Sequence, residues 1–195
     1  MKRTLIILFS LFLSVATFSQ ENASHRKGLT FKMGPRYLGW TNGFYPDQED
    51  SDVNIIDPEN QYGKSLRVYA GYFLLPKISL SLGFGLDRYE GYGTNTAPLV
   101  MQSNYYLTPN KNSFFASAEI GTQLTFSSDA LDKGFVYAFA LGKEVALSDK
   151  TGLNIYVGYN FQQSRFEHEN KHPDIIYMDK LNRKSLMLGI DLVIF

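Results

Sequence analysis

The segment His168-Glu-Asn-Lys-His172 has the H-E-x-x-H spacing of zinc proteases. That chemistry needs two histidines on one face of a helix, with the glutamate beside a metal-bound water. Here the segment is polar, lacks an apolar helical face and runs directly into Pro173. We interpret it as a chance match in a polar loop, with adventitious metal binding as the alternative. We therefore predict no catalytic residue, no metal and no cofactor.

The composition narrows the possible partners and compartments. Among 195 residues, Lys and Arg number 19 and so do Asp and Glu, which gives no basic surplus for a nucleic-acid partner. Charged residues are 19% of the chain and aromatics 15%, and soluble domains carry about 25% charged residues. There is no cysteine, which excludes disulfides and thiolate chemistry.

The N-terminal residues have the pattern of an export signal. Lys2 and Arg3 precede an apolar stretch over residues 5–15, and small residues follow before Gln20. The apolar stretch is shorter than the roughly 20 residues that a spanning helix needs. We predict a cleaved signal peptide at residues 1–20, a short polar tail at 21–27 and one domain over 28–195.

Alternation with a period of two dominates the rest of the chain. From residue 78 to 87, large apolar residues alternate with Ser, Gly or Asp, which predicts a strand with one apolar face and one small or polar face. The same pattern predicts eight strands, at about 28–40, 64–75, 78–87, 98–107, 114–126, 134–147, 153–162 and 185–195.

The predicted connections alternate between long and short. Long loops are expected at 41–62, 88–97, 127–133 and 165–183, and tight connections at 76–77, 108–113 and 148–152. This asymmetry and an even strand count are typical of an up-and-down antiparallel transmembrane β-barrel, which must close because hydrocarbon cannot satisfy a free sheet edge. The long loops would form the exposed working end.

Glycines decide which face is inside. Nearly every strand places a glycine on its small or polar face, where a soluble exterior would carry Lys, Glu or Asp. Inside a narrow barrel a glycine makes room for a bulky neighbour. We therefore place the apolar face outward, toward lipid, in preference to a soluble barrel with an apolar interior.

The charges on the inward face would then be enclosed together. Burying an unpaired charge costs a prohibitive amount of free energy, so we expect these charges to form a paired polar network in the lumen. A polar plug is the favoured interpretation and a proton or ion path is the alternative, because eight strands leave little room beyond side chains. The predicted network is Lys32, Arg36, Arg67, Glu119, Glu144 and Asp191.

With these features the chain resembles the small outer-membrane β-barrel family that includes OmpA N-terminal-type and OmpX-type domains. The resemblance covers residues 28–195 and rests on the signal peptide, the strands, the loop asymmetry, the segment 104–107 and the closing segment 186–195. It implies a location in the outer membrane of a Gram-negative bacterium. It also implies that Phe195 serves as the assembly signal read by the barrel-assembly machinery, although alternation from Leu186 puts Phe195 out of phase with the apolar face.

The resemblance implies three classes of function. We favour a non-enzymatic envelope protein that contacts outer-membrane lipid, lipopolysaccharide and possible envelope protein partners through its loops. A narrow porin-like channel is one alternative. A lipid A-modifying enzyme is the other, with His168, His172 or His25 as candidate groups, but only Ser164 lies near the first two.

Two further sets of residues have structural interpretations. The acidic residues at 47–52 do not follow the ligand order of a calcium-binding loop. We interpret them as a solvated loop tip, or as a weak divalent-cation bridge to lipopolysaccharide. Aromatic residues near the predicted strand ends are interpreted as a girdle at the membrane–water interface. The predicted girdle is Tyr37, Trp40, Tyr72, Tyr89, Tyr92, Tyr105, Tyr106, Tyr137 and Tyr159.

Overall fold

The chain forms a closed barrel of eight antiparallel strands in chain order, which confirms the predicted all-β, up-and-down architecture. In this computed structural model, residues 26–44, 62–90, 94–110, 112–126, 131–169 and 176–195 are described. The predicted signal peptide at 1–20, most of the tail at 21–27 and the acidic run at 47–52 lie outside them. The strands are β1 (Gly28–Phe44), β2 (Gly63–Leu75), β3 (Ile78–Tyr89), β4 (Thr94–Tyr106), β5 (Phe114–Phe126), β6 (Leu131–Ala146), β7 (Thr151–Glu169) and β8 (Ile176–Ile194).

Closure comes from the pairing of β8 with β1. Phe31 lies opposite Ile194 and Tyr37 opposite Leu188, and the register shifts once, between Gly39 and Asn42. All eight strands therefore have a hydrogen-bonded neighbour on each side. Within the described residues, no helix has the length and apolarity required to cross a bilayer.

The predicted loop at 165–183 is wrong over most of its length. β7 continues to Glu169 and β8 begins at Ile176, with those two residues paired. The described pairs of β7 with β6 stop at Gln163, and those of β8 with β1 stop at Asn182. The β7–β8 hairpin therefore extends past the described parts of β6 and β1. Backbone pairing holds this extension together, and its sequence shows no apolar alternation.

The loop asymmetry is also smaller than predicted. β4 begins at Thr94 and β6 at Leu131, so the connections near 88–97 and 127–133 are shorter than expected. The turn at 76–77 is confirmed. We call the end of the barrel with the 76–77, 107–113 and 147–150 connections the short-turn end, and the opposite end the loop end.

Alternation in burial follows the alternation in sequence. In β3, Leu82 is 67% exposed and Phe84 is 51% exposed. Ser81, which directly precedes Leu82, is 2% exposed, and Gly83 is buried. Large apolar side chains on all eight strands are exposed in the same way. The predicted orientation, with the apolar face outward and glycines inward, is confirmed.

Inward glycines lie beneath the largest lumen side chains. Gly83 is paired with Tyr69 and Gly189 with Tyr156, and a Cβ added to either glycine would overlap the tyrosine ring. Gly85 accommodates the Arg67 side chain in the same way. The glycines therefore set the positions of the aromatic and charged groups that fill the lumen.

Some aromatic residues face the opposite way from the prediction. Tyr89 and Tyr106 are each 1% exposed and point into the lumen, so their assignment to an interface girdle is wrong. Tyr37, Tyr105 and Tyr159 are exposed, as a girdle requires. The Trp40 side chain and Tyr92 lie outside the described part of the chain.

The C-terminal Phe195 turns inward. Its ring packs against the buried aromatic cluster at the short-turn end, with its centroid 6.0 Å from that of Phe73. The out-of-phase position of Phe195 in the sequence therefore places its ring inside the barrel, at the short-turn end.

We predict that Gly83→Val lowers the free energy of unfolding by about 1–3 kcal/mol, because the new side chain collides with the Tyr69 ring. Urea unfolding of the barrel in phospholipid vesicles, followed by tryptophan fluorescence, measures the loss. The matched control is Leu82→Val, which changes an adjacent outward position. Equal stability of the two variants would contradict the packing role of Gly83.

Candidate functional site in the barrel lumen

The centre of the lumen is built around an arginine–glutamate pair. Arg36 on β1 donates from Nη1 and Nη2 to the two carboxylate oxygens of Glu119 on β5, at 3.3 and 3.1 Å. Tyr69 OH donates to Glu119 Oε2 at 2.5 Å and accepts from Arg36. Both charged side chains are at most 2% exposed. Such a buried pair is stable only because its remaining donors and acceptors are also satisfied.

A second pair lies toward the loop end. Arg67 on β2 contacts both carboxylate oxygens of Asp87 on β3, with Nη2 to Oδ2 at 2.9 Å. Gln162 on β7 donates to the same Oδ2 at 2.5 Å. Arg67 Nε is also 3.7 Å from Glu119 Oε1. The two pairs therefore form one connected group of charges across the barrel.

Asp191 is linked to that group through a tyrosine. Arg36 Nε donates to Tyr156 OH at 2.8 Å, and Tyr156 OH donates to Asp191 Oδ1 at 3.1 Å. Lys32 instead donates to Gln102, which also accepts from Asn104 Nδ2 at 3.3 Å. A void between these side chains has room for about one water molecule.

The short-turn mouth is occupied by an arginine that precedes β1. Arg26 donates to Glu144 Oε1 from Nη2 at 2.8 Å and to the Thr108 carbonyl from Nη1 at 2.6 Å. Its guanidinium lies 4.0 Å from the centroid of the Tyr106 ring. Arg26 and Glu144 side chains are both fully buried. This contact ties the chain before the first strand to β6.

The loop end of the lumen carries another arginine. Arg183 on β8 lies 4.6 Å from the Tyr89 ring centroid and donates to Ser164 Oγ at 3.3 Å. Gln123 on β5 donates to the same hydroxyl at 2.8 Å. Side chains from β3, β5, β7 and β8 therefore meet here, across the barrel.

All six residues predicted for the lumen network are buried inside the barrel, at 4% exposure or less. The structure divides them among three groups. Arg36, Arg67, Glu119 and Asp191 share the central group, Lys32 bonds to Gln102, and Glu144 pairs with Arg26.

Three further charged residues in the lumen were not predicted from the sequence. Asp87 lies on the same alternating face as Gly83, so alternation alone could have found it. Arg183 falls in the stretch wrongly assigned to a loop. Arg26 was assigned to the polar tail, and no sequence pattern marks its insertion into the mouth.

The H-E-x-x-H segment does not adopt the geometry of a zinc helix where it is described. His168 and Glu169 lie on strand β7, paired with Tyr177 and Ile176. His172 and His25 lie outside the described residues. In the described part of the chain, no three His, Asp or Glu side chains are grouped as metal ligands.

Comparison with known proteins identifies the fold. No family model matches the sequence, and no curated protein matches it. Among solved structures, the outer membrane protein AlkL has a TM-score of 0.55 at 12% identity, covering 90% of this chain and 93% of that one. OprG from Pseudomonas aeruginosa has a TM-score of 0.53 at 12% identity, covering 87% and 97%. The Neisserial surface protein A has a TM-score of 0.50 at 12% identity, covering 85% and 98%. The chain therefore has the fold of the small outer-membrane β-barrels.

We predict that Glu119→Ala lowers the free energy of unfolding by about 3–5 kcal/mol, because it leaves Arg36 and Arg67 facing each other without their shared carboxylate. Adding Arg36→Met to this variant should recover part of the loss. Urea unfolding in vesicles measures both effects.

The control for this prediction is Glu90→Gln at the surface. Glu90 lies 3.5 Å from the largely exposed Lys64, so its loss should cost about 1 kcal/mol at most. A Glu119 variant no less stable than the Glu90 variant would show that the central group does not hold the barrel together.

Proposed function

We propose that this protein is an integral, non-enzymatic protein of the bacterial outer membrane, with a closed lumen and a working surface at its loop end. The observation that carries this proposal is the filling of the lumen by paired charges and aromatic rings at every level from Arg26 to Arg183. The outer-membrane fold of the solved neighbours supports the location.

The exterior supports membrane insertion. Leu82, Phe84 and Leu141 are more than half exposed, and all eight strands carry exposed apolar side chains at described positions. Soluble monomers rarely expose an apolar patch beyond a few hundred Å². An encircling apolar belt is the surface that a bilayer covers in a transmembrane barrel.

The lumen supports closure over conduction. A channel needs a continuous open path through the lumen. Here the Arg36 guanidinium bonds to the hydroxyls of Tyr69 and Tyr156, and these three side chains occupy the centre. Below them Arg26 fills the short-turn mouth. An eight-stranded barrel has room inside for little more than its own side chains.

The loop end is the part of the barrel that we propose contacts other molecules. The β7–β8 hairpin projects there, and the long connection between β1 and β2 begins and ends there. We propose that this end serves envelope integrity or contacts envelope protein partners. The barrel-assembly machinery is a further proposed partner, with Phe195 as its signal.

We expect no discrete conductance steps from the purified protein in a planar lipid bilayer, because the paired charges and rings block the lumen. Glu119→Gln, which alters the central group, tests the origin of any current that is seen. Steps in the wild-type protein whose amplitude changes in Glu119→Gln would show conduction through this lumen and would contradict the proposal.

We expect His168→Ala to leave the lipid A of the host cell unchanged. The histidine lies on strand β7, opposite Tyr177 of β8. Mass spectrometry of lipid A from cells that express no barrel, the wild-type protein or the variant makes the comparison. A mass shift that appears with the wild-type protein and disappears with His168→Ala would establish an enzyme instead.

A further inference from the structure

The two strands that close the barrel, β1 and β8, each have one end at the short-turn mouth. β1 begins there at Gly28, and β8 ends there at Ile194. Arg26, which precedes β1, and Phe195, which follows β8, both place their side chains in the mouth. The closing pair of strands is therefore held at this end by more than its own backbone pairing.

The Arg26 guanidinium crosses the lumen to reach its partners. β1 pairs with β2 and β8, whereas the partners of Arg26 lie on β4, on the turn that follows it and on β6. In a barrel of eight strands, these elements belong to the wall opposite β1. Arg26 and Glu144 are 118 residues apart in the chain. Their contact therefore requires a sheet that has already curled into a cylinder.

The pocket that receives the guanidinium is built from consecutive strands. The Glu144 backbone N–H donates to the Ser113 carbonyl at 2.8 Å, and the Thr108 N–H donates to Ser113 Oγ at 3.0 Å. Ser113 thus positions both residues whose oxygens accept from Arg26. These three residues lie on β6 and on the turn between β4 and β5, so the bonds that shape the pocket involve neither β1 nor β8.

Gly28 provides the backbone conformation through which the chain passes from Arg26 into β1. Its φ is 74°, in the left-handed region that residues with a Cβ rarely adopt. A Cβ built on Gly28 meets no other described atom within 4 Å. This glycine therefore differs from Gly83, whose role is to leave space for a ring. An alanine at position 28 would change the backbone preference and little else.

Phe195 attaches the other closing strand to the same part of the mouth. Its backbone N–H donates to the Lys150 carbonyl at 2.9 Å, on the turn before β7. Its ring packs against Phe73, whose ring centroid is 5.7 Å from that of Tyr106. The Tyr106 ring in turn contacts the Arg26 guanidinium. The start of β1 and the end of β8 therefore meet one group of aromatic rings.

We propose that Arg26, directed inward through Gly28, is a latch that engages after the barrel has closed and slows its opening. The pocket is local to β4, β5 and β6, whereas the guanidinium reaches it only across a closed lumen. A contact that is absent from the folding transition state slows unfolding without accelerating folding. The latch acts on the opening of the barrel and does not depend on any partner at the loop end.

The test measures the folding and unfolding rates of the refolded barrel in phospholipid vesicles over a range of urea concentrations. The closed form is followed by its heat-modifiable mobility in electrophoresis. Arg26→Gln should raise the unfolding rate at least about tenfold, because Glu144 stays buried without its cation, and should change the folding rate less than about twofold. Lys27→Gln, which removes the same charge from the adjacent residue, is the matched control and should leave both rates unchanged.

Two further variants separate a latch from a general loss of packing at the mouth. Gly28→Ala retains the guanidinium and strains the backbone, so it should raise the unfolding rate by about fivefold. The same change should have a much smaller effect in the Arg26→Gln background, because the two residues act on one contact. Arg26→Lys keeps the charge without the planar fork and should restore part of the slow unfolding.

Several outcomes would overturn the latch. One is an Arg26→Gln barrel that unfolds at the wild-type rate, and another is equal acceleration by Lys27→Gln. A folding rate that falls by the same factor as the stability, or failure of Arg26→Gln to refold, would show that the contact forms before closure. Equal effects of Gly28→Ala with and without Arg26 would show backbone strain that is unrelated to the guanidinium.

Discussion

Closure of the sheet is the constraint on which the rest of the structure depends. A strand buried in hydrocarbon cannot leave backbone groups unpaired, because no water is available to satisfy them. The pairing of β1 with β8 removes the two edges that an open sheet of these strands would have. Once the sheet is closed, period-two alternation divides every strand into one set of side chains facing outward and one facing a narrow interior.

The narrow interior imposes its own chemistry. Eight strands enclose a space that side chains must fill, and the charges drawn into it must find partners at short range. The Arg36–Glu119 and Arg67–Asp87 pairs meet this requirement at the centre, and Arg26–Glu144 meets it at the mouth. Inward glycines complete the fit, since Gly83 and Gly189 leave space for tyrosine rings and Gly85 leaves space for an arginine side chain on the next strand.

The two rims of the barrel differ in ways that suit different surroundings. Tight turns and the inward Phe195 close the short-turn end. The loop end carries the β7–β8 hairpin, which extends past the described parts of its neighbours. If the barrel spans the outer membrane as proposed, this asymmetry places the longest described strands on the side of the long connection between β1 and β2.

The sequence alone determined the number of strands, the turn at 76–77, the face on which each residue of the regular strands lies, and the burial of the six charges assigned to the lumen. These are local properties, since alternation along one strand fixes the side of the sheet on which each side chain lies. Only the tertiary structure decided which charges meet, as with Arg26 and Glu144, because those contacts join residues distant in sequence. It also decided the length of the β7–β8 hairpin, where backbone pairing extends beyond the apolar belt and hydropathy carries no signal. The inward turn of Phe195 likewise depends on the aromatic cluster that closure assembles beneath it.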